Sequence, residues 1–81
     1  MEKRIAILGI IIEQEESVEK VNELLHNYRD YIVGRMGMPY RERGISVISI
    51  VMDATNDVVS ALSGKLGMLE GVSAKAVYSK K

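Results

Sequence analysis

The chain has 81 residues, as many acidic as basic side chains, no cysteine and a single histidine. That length makes one domain, residues 1–81, and without thiols the chain has neither disulfides nor thiolate metal sites. The zero formal charge lacks the basic excess on which binding to a phosphate backbone depends, so direct contact with nucleic acid is not expected. A domain this small buries about two-thirds of its unfolded surface at best. Chains of this size usually add disulfides, a metal or a partner subunit, and here the partner subunit is what remains.

The first strand is predicted at residues 4–13. Its run Ile5-Ala6-Ile7-Leu8-Gly9-Ile10-Ile11-Ile12 is apolar at odd and even positions alike, as in a strand covered on both faces. Gly9 in its middle marks a bulge, a close backbone approach or a glycine merely tolerated. The run is shorter than the ~18 residues of a membrane span. It leads into Glu13-Gln14-Glu15-Glu16 instead of a signal cleavage site, which predicts a cytoplasmic protein with no membrane contact. Ser17 is the expected N-cap of the first helix, and Glu15, Glu16 and Glu19 favour the positive end of its dipole. Val18, Val21, Leu24, Leu25 and Tyr28 then follow at helical spacing. His26 falls beside this stripe as a surface residue, without the second group that catalysis needs.

The second strand is predicted at 31–38 and stopped by Pro39; two glycines and an arginine suit an edge. A polar link, residues 40–44, favours antiparallel pairing with the next strand. That strand, 44–53, reads Gly-Ile-Ser-Val-Ile-Ser-Ile-Val-Met-Asp and is the centre of the fold, again apolar towards both faces. Thr55 caps the second helix, Asp57 supports its first turn, Val58, Val59, Leu62 and Leu66 form its inner stripe, and Gly67 is the expected stop. The last strand, 72–78, alternates in the manner of an edge.

The order β-α-β-β-α-β is that of an α+β ferredoxin-like sandwich. It predicts a four-stranded antiparallel sheet of order 4-1-3-2 with both helices on one face. The two central strands are those with apolar residues on both faces, so the uncovered face predicts a homodimer or higher homo-oligomer.

At Gly34-Arg35-Met36-Gly37-Met38-Pro39-Tyr40, at Gly44-Ile45-Ser46-Val47-Ile48-Ser49 and at Gly64-Lys65-Leu66-Gly67 the chain resembles a small family of candidate regulators of the iron-only hydrogenase system. That family is placed among ACT-like folds, beside the C-terminal domain of the nickel-responsive regulator. The resemblance implies a single ACT-like regulatory module, ligand-sensing or oligomerising. Nickel sensing does not carry over, because those relatives use several histidines and a cysteine. The first strand begins almost at Met1, so a preceding ribbon-helix-helix domain is not expected. The turn after strand 1 has no glycine, so the usual amino-acid site of ACT domains is not expected either.

Three functions follow for testing. A ligand-binding regulator would use the edge strand and its exit, Gly34, Arg35, Met36, Gly37, Pro39, Tyr40 and Arg41. Glycine admits a close approach, arginine grips a carboxylate or phosphate, and Tyr40 can stack or donate. In the structural alternative the glycines shape a subunit interface and the chain is an interaction module with a protein partner and no ligand. An enzyme is not expected, because no nucleophile–base pair, histidine pair or phosphate loop is present. No cofactor or metal is predicted.

Overall fold

The structure is a computed structural model and describes residues 2–80. In chain order its main elements are β1 (Lys3–Ile12), α1 (Val18–Asn27), β2 (Ile32–Tyr40), β3 (Ile45–Thr55), α2 (Asn56–Gly67) and β4 (Val72–Tyr78). Single 3-10 turns at Glu15–Ser17, Arg29–Tyr31 and Arg41–Arg43 join them. The four strands form one antiparallel sheet of order β2-β3-β1-β4, the predicted 4-1-3-2 order counted from the other edge. The fold is ferredoxin-like.

The core occupies one side of the sheet. Ala6, Leu8, Ile10 and Ile12 of β1 and Ile48, Ile50, Met52 and Ala54 of β3 are buried against Val21 and Leu25 of α1 and Val59, Leu62 and Leu66 of α2. All eight strand positions are even-numbered, as strand alternation requires of one face. Each large side chain removed from water here contributes about 1.5–3 kcal/mol. Thr55 caps α2 as expected, its Oγ1 accepting from the Val58 amide at 3.3 Å.

Two local expectations, those for Ser17 and Pro39, are corrected, and the readings left open at Gly9 are narrowed to one. Ser17 stands at the N-cap position of α1, but its side chain makes no capping hydrogen bond. As the last residue of the 3-10 turn it has helical backbone angles (φ −87°, ψ −10°), whereas a capping residue needs an extended backbone. Its hydroxyl instead donates to the Glu70 carbonyl at 2.6 Å, tying the start of α1 to the turn before β4. β1 runs without a bulge at Gly9, which pairs with Ser49 on one side and Lys75 on the other. A Cβ built on Gly9 would come no nearer than 3.9 Å to the Lys75 carbonyl, so no close approach within the chain requires a glycine there. The bulge lies in β2, where Ile32 pairs with Met52 and Gly34 with Val51, leaving Val33 as the extra residue.

Pro39 does not stop β2 but continues it opposite Ser46. An edge strand tolerates this, since one side of it has no ladder to complete. Gly67 closes α2 without a left-handed residue. The positive φ of the following reversal belongs to Gly71, at 72°.

Candidate functional site

The bulge at Val33 determines what β2 presents. One extra residue reverses the side to which every following side chain points. Beyond it, Arg35, Gly37 and Pro39 share the helix side of the sheet with Ile48 and Ile50, while Gly34, Met36, Met38 and Tyr40 share the opposite face. Two contacts agree with this assignment. Arg35 Nη2 donates to Asn22 Oδ1 of α1 at 3.0 Å, and a Cβ on Gly37 would lie 3.9 Å from Ile48 Cγ1. The seven residues expected to form one site are therefore divided between two faces, with Arg41 in the turn that follows.

On the helix side a groove separates α1 from β2. Its middle is a hollow of about 160 Å³ bounded by Ile12, Val18, Gly37, Pro39 and Ile48. At one end Asn22 and Arg35, joined by their hydrogen bond, line both this hollow and a cleft of about 480 Å³ lined also by Leu25, His26, Arg29 and Ile32. At the other end the hollow shares Ile12, Val18, Pro39 and Ser46 with a third concavity that reaches Glu15, Tyr40 and Arg41. Beyond Ile32 the helix-side residues of β2 are Arg35, Gly37 and Pro39, none of which offers α1 a large apolar side chain to settle on.

Arg29 lines the cleft as well. Its Nη1 donates to the His26 carbonyl at 3.0 Å and lies 3.3 Å from His26 Nε2. Asn22, His26 and Arg29 were not among the residues expected to form a site. The (i, i+4, i+7) spacing that puts them on one side of α1 and into the next turn is visible in the sequence. Their convergence on Arg35 depends on the bulge.

The opposite face of the sheet carries no helix. Ile5, Ile7 and Ile11 of β1 are 44–48% exposed there. They are flanked by Val47 and Val51 of β3, by Val77 of β4 and by Met36 and Met38 of β2, 72% and 60% exposed. The central row, Met36-Ser49-Gly9-Lys75, has only serine and glycine on its two inner strands and forms a shallow trough between apolar rows. Among the described residues no three His, Cys, Asp or Glu side chains gather as a metal site. No helix among them is long and apolar enough to cross a membrane.

A family model described as "TM1266-like: Iron-only hydrogenase system regulator, putative" matches residues 4–76. Among solved structures, the uncharacterized protein TM1266 from Thermotoga maritima is similar with a TM-score of 0.93 and 45% sequence identity, over 98% of this chain and 100% of that one. A formyltetrahydrofolate deformylase from Pseudomonas putida KT2440 is similar with a TM-score of 0.68 and 14% identity, over 95% of this chain but 29% of that protein. At that identity the likeness shows the fold alone. No curated protein matches the chain.

Proposed function

The chain belongs to the TM1266-like family of iron-only hydrogenase system regulators, and from that premise we propose that it is a self-associating regulatory module that senses a small-molecule effector. The observation that carries this reading is the helix-free sheet face, where Ile5, Ile7, Ile11, Met36, Met38 and Val77 are all exposed. Contiguous exposed apolar patches beyond a few hundred Å² are rare on monomers. A second copy stacked on this face is the occupant we favour. Strands about 4.8 Å apart and about 3.3 Å per residue make the face roughly 20 by 25 Å in plan. Two such faces together bury on the order of 1,000 Å², the lower bound for a stable interface. The pairing is isologous, and the Gly9–Ser49 trough lets the two sheets approach closely.

The effector surface is the groove on the other side of the sheet. β2 belongs to both surfaces, since Arg35 and Gly37 line the groove while Met36 and Met38 stand on the association face. A ligand that shifts β2 thus acts on the contact between subunits.

Light scattering on the eluting protein tests the assembly. A dimer or larger species is expected at micromolar concentration, and Ile7→Lys, which puts a charge between Val51 and Val77, should yield a monomer that keeps its circular dichroism spectrum. A wild-type chain that stays monomeric at those concentrations would refute self-association.

A further inference from the structure

We infer that the arginine end of the groove binds the phosphoryl group of a small molecule whose apolar part lies in the adjoining hollow. This rests on the reading of the groove as the effector surface and names the chemistry it takes. Arg29 and Arg35 come from different elements yet border one cleft with His26 and Asn22, and no carboxylate lines it. The chain's other arginine-bearing concavities differ in this respect. The one at Arg41 includes Glu15, and the one at Arg4 includes Glu2 and Asp57. Arg35 is anchored to Asn22 and Arg29 to the carbonyl and ring nitrogen of His26, and the remaining N–H groups of both guanidiniums have no partner among the described residues. These anchors leave the two forks oriented and incompletely bonded, as an oxyanion site requires.

Phosphate fits this pair better than carboxylate. A carboxylate offers two oxygens in one plane and is matched by a single fork. A phosphate monoester offers three acceptor oxygens in a tetrahedral arrangement and carries nearly two charges at neutral pH, so two guanidiniums lining one cleft can each bond it. The cleft lies near the C-terminal, negative end of α1, which disfavours an anion. The bond from Arg29 to the His26 carbonyl offsets part of that field at its source.

The hollow beyond the Arg35–Asn22 bridge supplies the second half of the recognition. Its volume of about 160 Å³ and its Ile12, Val18 and Ile48 walls match the size and character of a cavity that holds a benzene-sized group. Gly37 keeps it open: a Cβ there would still leave ordinary contact with Ile48, so a larger side chain would occupy the space without disturbing the strand.

The test is a nitrogen-15 NMR titration of the full chain with inorganic phosphate, phenyl phosphate, benzoate and phenol. Phenyl phosphate is expected to shift the amides of Asn22, Arg35 and Gly37 and to bind more tightly than each of the others. Arg35→Gln and Arg29→Gln should each weaken it about tenfold or more. Gly37→Val should leave inorganic phosphate unaffected while bringing phenyl phosphate down to the same affinity. If benzoate binds as tightly as phenyl phosphate, or if the arginine variants bind normally, the phosphoryl assignment is overturned while the groove stands as an effector site. If none of the four probes moves groove resonances, both the assignment and the effector reading of the groove fall.

Discussion

Ser17 and Gly71 meet where the turn after β1 touches the turn before β4, and they hold it by different means. The Ser17 hydroxyl is buried and donates to the Glu70 carbonyl. Gly71 accepts from the Glu13 amide at 2.7 Å and has a left-handed φ of 72°. A side chain at Gly71 would run into that of Gln14. Ser17→Ala removes a donor from a part-buried carbonyl and should cost about 1–2 kcal/mol. Gly71→Ala should cost at least about 1–2 kcal/mol from the left-handed backbone alone, with the clash added to it. Gly64, inside α2 with nothing within 4 Å of a built Cβ, is the opposite case. Gly64→Ala should stabilise by about 0.5–1 kcal/mol through helix propensity. Urea denaturation of the variants at one protein concentration checks both signs, since the proposed association would make apparent stability depend on concentration. An unchanged midpoint for Gly71→Ala would mean that the turn rearranges without cost.

Among the elements, β2 decides how the surfaces are composed. It is long, sits on an edge, and carries one residue more than its partner β3 can pair. Deleting Val33 should restore a regular ladder without changing any later pair, so Arg35 stays opposite Ile50 on the helix side and Met36 opposite Ser49 on the other face. The expected result is that phenyl phosphate binding and the Arg35–Asn22 contact, read from the Asn22 side-chain amide signal, are both retained with the α+β circular dichroism spectrum. Loss of both would mean that the ladder beyond residue 32 slips by one residue and exchanges the faces of Arg35 and Met36. The two helices hold the sheet differently. α2 is capped by Thr55 and packs through Val59, Leu62 and Leu66. Outside the core α1 is linked to α2 by Lys65 Nζ, which donates to the Tyr28 hydroxyl at 3.0 Å.

At the scale of the whole molecule, the sheet separates two surfaces that one strand touches from both sides. If effector binding moves β2, association and binding are coupled, and the coupling is the same in both directions. Sedimentation with and without phenyl phosphate should then give subunit dissociation constants that differ by some factor. The same factor should separate phenyl phosphate affinities measured well above and well below the association midpoint. Equal constants would mean that the groove and the sheet face act independently.

Much of this was legible in the sequence because it depends on local pattern. The β-branched runs at residues 5–12 and 44–53, apolar at odd and even positions alike, the helical stripes, the Thr55 cap and the order of elements sufficed for the ferredoxin-like topology and for the apolar face that it leaves bare. What the tertiary structure alone decided are matters of pairing between distant residues. Whether Arg35 points to the helices or away from them depends on one unpaired residue in the ladder with β3, and sequence spacing carries no sign of it. Ser17 reads as a cap until the Glu70 carbonyl, 53 residues further along the chain, is brought to its hydroxyl. Gly9 reads equally as a bulge, a close approach or a tolerated glycine until its continuous pairing with Ser49 and Lys75 selects the last. The cleft of Arg29 and Arg35 forms only when α1 is laid beside β2, because a strand's parity and a helix's placement are both set by contacts that close long loops.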